Sequence, residues 1–221
     1  MEISQKKIIG IGFLVTFVIL ATGVVSHAHW IHVLDTSISS LATKSISPMN
    51  TQVFKIVAFL GSPVIVIGLT VLLCAYLWTR QGAIISLWIA GIQLFGSAFV
   101  AIMKQLVARS RPLHQLVADT GFSFPSGHTF CTTILVFSIL MLCLPLIQDQ
   151  ENQLIAMLAG ALWIGMVAVS RIYLRDHFAS DVLASVFFDS GYWLIVTAYE
   201  EAIKRLLKRI LPRKDTITCK N

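Results

Sequence analysis

Six long apolar stretches, separated by short polar segments, set the pattern of this chain. Five of them contain no charged residue, and the sixth contains one, Asp189. A helix needs about 20 apolar residues to cross the hydrocarbon core of a bilayer. The pattern therefore predicts an all-α, polytopic membrane protein with six transmembrane helices in one bundle, at residues 8–25, 61–78, 82–103, 129–148, 152–170 and 182–199. The second span could extend back as far as Lys55.

Composition supports the same class of protein. Of 221 residues, 56% are hydrophobic and 13% charged, whereas a water-soluble domain carries about 25% charged residues. We expect one membrane-embedded domain over residues 1–221, with residues 200–221 as a basic cytoplasmic tail. Cations at helical spacing among leucines and isoleucines suit this tail to anionic lipid headgroups. The lipid bilayer is therefore the expected partner, and nucleic acid is not.

The polar segment between the first two spans carries signals for short surface helices. Asp35 with Thr36 could cap one helix, and Pro48 could begin another. The three histidines at positions 27, 29 and 32 lack the spacing and companion ligands of a metal site, which favours an interfacial position. We expect these helices to border a lateral route for lipid. Within the sixth span, a buried contact with a hydroxyl is favoured for Asp189 over contact with substrate.

The distribution of lysine and arginine predicts the orientation. With six spans, both termini lie on one face. That face holds ten of the 17 cations: Lys6, Lys7, Arg80, Lys204, Arg205, Lys208, Arg209, Arg213, Lys214 and Lys220. The other seven are Lys44, Lys55, Lys104, Arg109, Arg111, Arg171 and Arg175. Because cations favour the cytoplasmic side, we expect cytoplasmic termini and extracytoplasmic loops after the third and fifth spans.

Those two loops carry the candidate chemistry, since charge at membrane depth is costly and usually functional. Lys104, Arg111 and Arg171 can stabilise the charge on a phosphoryl group. Ser126 and Gly127 lie where a loop enters the fourth span. Free backbone N–H groups at a helix start attract anions, a serine can cap the helix or contact phosphate, and a glycine permits close approach.

Two histidines and a carboxylate complete the set. His177 and Asp181 are four residues apart, so a helix would place them on one face. The carboxylate would then hold one ring proton and leave the other nitrogen free to attack phosphorus. His128 would supply a proton to the leaving oxygen. Arg109 and Arg175 are interpreted as interface charges, and Asp176 as facing away from His177.

The three motifs together resemble the type 2 phosphatidic acid phosphatase family. They are Lys104 with Arg111-Pro112, Pro125-Ser126-Gly127-His128, and Ser170-Arg171 with His177 and Asp181. The resemblance implies a lipid phosphatase that needs no metal or cofactor and forms a phosphohistidine. It implies that His177 is the nucleophile, that Asp181 orients it and that His128 protonates the leaving group. The implied phosphate-binding residues are Lys104, Arg111, Ser126, Gly127 and Arg171.

Several substrates fit such a site. An outward-facing site favours undecaprenyl diphosphate. Phosphatidylglycerophosphate, phosphatidic acid and diacylglycerol diphosphate are the alternatives. A non-catalytic lipid-headgroup binder or transporter could use the same cations, but it would not need both histidines and Asp181. A phosphatase of this fold that acts on water-soluble sugar or nucleotide phosphates is a further possibility.

Overall fold

The computed structural model of the protein describes residues 1–210 and is built from helices. Six helices are long and apolar enough to cross a membrane, which confirms the predicted fold class. The helices are α1 (Ile3–Val25), α2 (His29–Lys44), α3 (Pro48–Leu60), α4 (Pro63–Arg80), α5 (Ala83–Val107), α6 (Gly127–Cys143), α7 (Gln150–Tyr173), α8 (Ala179–Ala198) and α9 (Glu200–Ile210). A 3-10 turn, Leu144–Leu146, extends the fourth span beyond α6.

Serine-proline pairs start the two helices on either side of Gly61. Ser47 and Ser62 each cap a helix by accepting a backbone N–H three residues on, and proline follows each at the first helical position, where its missing N–H costs nothing. The chain turns at Gly61, where an added Cβ would lie 2.7 Å from the methyl groups of Val167. The proposed extension of the second span back to Lys55 is therefore wrong, and Pro48 begins α3 as predicted.

Asp35 does not cap a helix. It lies in the middle of α2, which begins at His29, and only 4% of it is exposed. His29 and His32 are on the same helix, and His27 precedes it. The segment predicted to hold short surface helices therefore forms α2 and α3, with Asp35 turned toward the bundle rather than toward a helix start.

The most extensive helix pairing in the described part of the bundle is between α1 and α8. A Cβ added at Gly191 would lie 2.9 Å from the carbonyl oxygen of Gly10 and 2.8 Å from Leu14 Cγ. Aromatic rings fill the adjacent core, where Phe188 stacks on Phe99 with centroids 4.4 Å apart. The remaining surface of the six long helices is rich in exposed isoleucine, leucine and valine, as expected of helices that face lipid.

The two loops of interest meet at one end of the bundle. The long loop (residues 108–126) follows α5, and the short loop (residues 174–178) joins α7 to α8. At the opposite end Lys7 lies over the ring of Tyr199, 4.3 Å from its centroid, which brings the start of α1 close to α9. The part of the predicted tail beyond Ile210 lies outside the described residues.

Candidate active site

Backbone and side-chain contacts tie the long loop to the short loop. The N–H of Leu116 donates to the carbonyl of Leu174 at 2.9 Å. Arg111 Nη1 donates to the carbonyl of Asp176, also at 2.9 Å. Lys104 reaches from the last turn of α5 to the carbonyl of Phe122 at 2.6 Å. These contacts bring the three motifs, which are separated in sequence, around one point.

His177 lies at the centre of this arrangement and is 2% exposed. Its Nε2 is 3.4 Å from Arg111 Nη1, and its Nδ1 is 3.6 Å from Asp181 Oδ2. Because a guanidinium nitrogen can only donate, Nε2 is assigned as the acceptor and Nδ1 as the protonated nitrogen that faces Asp181. This tautomer leaves a lone pair on Nε2.

The pairing of His177 with Asp181 does not come from a shared helical face, as the spacing suggested. The short loop is not helical at His177, and α8 begins at Ala179. Asp181 is the third residue of α8, where its Oδ2 accepts the N–H of Phe178 at 2.9 Å. A carboxylate that caps its own helix start in this way is held in a fixed orientation. His177 lies one residue before Phe178, the extended N-cap residue of α8.

Burial makes His177 a weak base. Its pKa is lowered to about 4, first because burial disfavours the charged imidazolium and further because Lys104 and Arg171 are nearby, although Asp181 acts in the opposite direction. The ring is therefore neutral near pH 7 and available as a nucleophile.

The start of α6 lies next to His177. Ser126 caps the helix, since its hydroxyl accepts the N–H of Thr129 at 3.4 Å, and it is fully buried. Its own N–H donates to the carbonyl of Asp181 at 3.4 Å. A Cβ added at Gly127 would make ordinary van der Waals contacts, 3.8 Å from Pro63 Cγ and 3.9 Å from Lys104 Cε. The backbone N–H groups of Gly127 and His128 are at the positive end of the helix dipole.

A carboxylate from the long loop is also in the site, although no motif or spacing in the sequence marks it. Asp119 Oδ2 is 2.8 Å from Arg171 Nη2 and 3.1 Å from Arg111 Nη1. Asp119, His128 and His177 place one possible ligand atom each within 4.8 Å of one another. Although that spacing could hold a metal, the two guanidinium groups on the same carboxylate favour an anion at this point over a cation.

Asp176 faces the site rather than away from it, contrary to expectation. It is fully buried, and its carboxylate is 3.1 Å from Arg171 Nη2. Burial raises its pKa to about 6, with Arg171 opposing the shift. Arg171 is thus held between Asp176 and Asp119.

Arg109, interpreted from sequence as an interface charge, contacts the site instead. Its Nη1 is 2.5 Å from Asp181 Oδ1, and its Nη2 is 2.6 Å from Asp35 Oδ2. Asp35 comes from α2, 74 residues earlier, and no spacing rule links the two positions. Arg175, the other expected interface charge, is half-buried and donates to the Thr43 hydroxyl at 3.2 Å.

The other singled-out residues lie away from this centre. His114 is exposed on the long loop. Asp189 is fully buried in α8, and neither of its carboxylate oxygens has a hydrogen-bond partner within residues 1–210. The hydroxyl of Thr133 on α6 lies close enough to act on this carboxylate, but it donates to the carbonyl of Thr129 at 2.8 Å. The expected pairing of Asp189 with a hydroxyl therefore falls short of a hydrogen bond.

Two cavities open beside the site. The His128 cavity, of about 470 Å³, lies between α3 and the long loop. Its charged lining includes Arg171, Asp119 and Asp176, and its apolar lining comprises Ala58, Phe59, Leu116, Val117 and Leu174. The second cavity, of about 540 Å³, lies between α2 and the long loop and includes His32 and Arg109. A cavity with charge at one end and apolar walls at the other suits a phosphate group on a lipid chain.

Comparison with known proteins gives three matches. The model of the PAP2 superfamily matches residues 81–205. Phosphatidylglycerophosphatase B of Bacillus subtilis (strain 168) is 27% identical over 201 residues, covering 87% of this chain and 95% of that protein. The crystal structure of a transmembrane PAP2 type phosphatidylglycerolphosphate phosphatase from Bacillus subtilis matches with a TM-score of 0.75 and 25% identity, covering 89% of this chain and 98% of that one.

Proposed function

Because this chain belongs to the PAP2 superfamily and is a membrane lipid phosphatase, we propose that it hydrolyses phosphatidylglycerophosphate through a phosphohistidine on His177. The name of the Bacillus subtilis relative supports this choice of substrate. The observation that carries the proposal is a buried, neutral His177 whose Nδ1 faces Asp181 and whose Nε2 faces Arg111. Such a nitrogen keeps its lone pair for attack on phosphorus, and the neighbouring His128 and Arg171 line a cavity with charged and apolar walls.

In the first step of the proposed reaction, Nε2 of His177 attacks phosphorus. A P–N bond forms, the P–O bond to the lipid breaks, and His128 gives its proton to the leaving oxygen. In the second step water attacks phosphorus, His128 takes a proton from that water, and the P–N bond breaks to release inorganic phosphate. The arrangement of His177 at Asp181 resembles the geometry by which a carboxylate fixes the tautomer of a catalytic histidine.

The cations and the helix start would hold the phosphoryl group. Arg111, Arg171 and Lys104 would meet its negatively charged oxygens, and the N–H groups of Gly127 and His128 would add donors from the start of α6. Ser126 would act mainly through the cap that fixes this turn. Since the chain itself supplies this charge, the proposed reaction needs no metal ion or cofactor.

The test is phosphate release from phosphatidylglycerophosphate by purified protein in detergent with EDTA present. His177→Ala should reduce kcat on the order of 10³-fold or more, the scale of losing a nucleophile, while His114→Ala on the exposed part of the long loop should not. Acid-labile, base-stable radiolabel on the wild-type protein would identify the phosphohistidine. Turnover that survives His177→Ala in folded protein would refute the mechanism.

Undecaprenyl diphosphate is the second candidate substrate. The observation that favours it is Lys55, an exposed cation on α3 that lines the His128 cavity and could meet a second phosphate. Lys55→Ala should then raise KM for the diphosphate more than for phosphatidylglycerophosphate. Phosphatidic acid and diacylglycerol diphosphate complete the panel, and faster turnover of water-soluble sugar phosphates would contradict a lipid substrate.

We also propose that the site faces the extracytoplasmic side and that both termini are cytoplasmic. The excess of cations at the terminal face supports this orientation. An outward-facing site would receive lipids from the outer leaflet.

A further inference from the structure

We propose that Asp35 and Arg109 are positioning residues that set the orientation and charge of Asp181 and, through it, the protonation of His177. This inference rests on the proposed role of His177 as nucleophile. It adds to the reaction a residue of α2, a helix that lies outside all three sequence motifs.

Arg109 bridges two carboxylates with the two ends of its guanidinium group. Nη1 contacts Asp181 Oδ1 at 2.5 Å, and Nη2 contacts Asp35 Oδ2 at 2.6 Å. The plane of the group lies over the Phe178 ring, 4.0 Å from its centroid. With this stacking and two directed contacts, the guanidinium has one orientation available, which a lysine could not reproduce.

Asp35 joins the same cluster from the other side. Its Oδ1 accepts the N–H of Ser180 and its Oδ2 accepts the Ser180 hydroxyl, both at 2.9 Å. Ser180 is the second residue of α8, so a carboxylate from α2 satisfies a donor that a helix start normally leaves free. Asp35 is 4% exposed and Ser180 is fully buried, so this contact is shielded from water.

The cluster leaves Asp181 no freedom to rotate. Oδ1 is committed to Arg109, while Oδ2 accepts the N–H of Phe178 and faces His177. Arg109 therefore fixes which oxygen the imidazole meets. Asp35 balances part of the charge of Arg109. Without Asp35, the whole guanidinium charge would act on Asp181, and the Asp181 carboxylate would stabilise a charged His177 ring less.

Opposite charge changes should thus move the titration of His177 in opposite directions. Removing the negative charge of Asp35 disfavours the imidazolium, and removing the positive charge of Arg109 favours it. Charged or titratable groups that face His177 from the surrounding elements stay the same in both variants: Lys104 from α5, Arg111 and Asp119 from the long loop, His128 from α6, Arg171 from α7, Asp176 from the short loop and Asp181 from α8.

The experiment compares full-length wild type, Asp35→Asn, Arg109→Gln and the double variant in detergent, by pH profiles of kcat and KM on one substrate. Asp35→Asn should move the acid limb of kcat/KM to lower pH and Arg109→Gln should move it to higher pH. The double variant should return it toward wild type. We expect each single variant to lower kcat on the order of tenfold, as outer partners of positioned histidines do, with little change in KM.

Controls separate positioning from folding. Asp149→Asn and Arg80→Gln change the same charges at exposed positions and should leave the profile unchanged. Arg109→Lys keeps the positive charge but cannot contact both carboxylates at once. It should therefore lower kcat without moving the acid limb of kcat/KM. This variant replaces Arg109→Gln if the latter does not fold. An unshifted acid limb in folded Asp35→Asn, or a wild-type kcat in folded Arg109→Lys, would overturn the inference. His177→Ala run in parallel tests the proposed function separately, since turnover by that variant would refute the nucleophile itself.

Discussion

The low pKa of His177 should be visible directly. Burial keeps the imidazole neutral down to about pH 4, whereas an ordinary histidine with a pKa near 6.5 is about 90% protonated at pH 5.5. We expect the ¹⁵N signals of His177, identified by their absence in His177→Ala, to titrate with a midpoint near pH 4. A midpoint near 6.5 would contradict the burial of a neutral ring.

The same pKa shift affects stability. In the unfolded chain the ring binds its proton near pH 6.5, so this histidine destabilises the fold increasingly as pH falls from 6.5 toward 4.

Asp119 competes with substrate for the same cations. Its carboxylate contacts Arg171 and Arg111. If these arginines bind the phosphoryl oxygens as proposed, Asp119 has to move when substrate binds. Asp119→Asn keeps the shape and removes the charge. Breaking a partly exposed ion pair is worth about 1 kcal/mol, which corresponds to roughly a fivefold decrease in KM. A higher KM would show instead that Asp119 holds the two arginines in place for substrate, and Asp149→Asn is the matched control.

Sequence reasoning found the residues whose chemistry is marked by local spacing. The structure brings Lys104, Arg111, Arg171, His128 and His177 to one site, and their catalytic roles stay predictions. It could not find Asp35, Arg109 and Asp119 as site residues, because a long-range ion pair leaves no periodic signal. The predicted direction of Asp176 was wrong because it assumed a helix at this position, whereas residues 174–178 form a loop.

At the scale of elements, all six spans were predicted, because apolar length is a strong and local signal. The limits of α4 were less well predicted. Ser62-Pro63 repeats the Ser47-Pro48 signal that correctly marked the start of α3. The start of α4 after Gly61 could therefore have been predicted from the sequence. The close approach of Gly61 to Val167 could not have been predicted from the sequence, because it depends on how α7 packs against this turn.

The crossing of α1 and α8 depends on Gly191. Gly191→Leu would force a side chain against the Gly10 carbonyl and Leu14, and overpacking of this kind costs about 1–3 kcal/mol. We therefore expect a lower Tm in detergent. Gly12→Leu is the matched control, because nothing lies within 4 Å of a Cβ there and leucine is the better helix former. Equal Tm values for both variants would show that α1 is not packed closely on α8.

At the scale of the whole molecule, the ends of the bundle differ in how their cations are used. On the site face, Lys104, Arg109, Arg111 and Arg171 are all engaged within the site or its supporting cluster. Three cations remain there, at positions 44, 55 and 175. The terminal face has ten, including Lys6 and Lys7 at the start of α1. The difference between the faces is therefore larger once the four cations of the site are set aside than it is for the total count.

This asymmetry predicts a single orientation, which can be tested without reference to catalysis. His114→Cys would place a thiol on the exposed part of the long loop, and Gln148→Cys would place one in the exposed turn before α7, each in a background with the four native cysteines replaced. If cations keep the terminal face in the cytoplasm, a membrane-impermeant maleimide should label His114→Cys in intact cells and Gln148→Cys only after permeabilisation. The reverse result would put the site in the cytoplasm, where it would act on inner-leaflet lipids. Labelling of both variants in intact cells would contradict a single orientation in which residues 127–146 cross the membrane between the two positions.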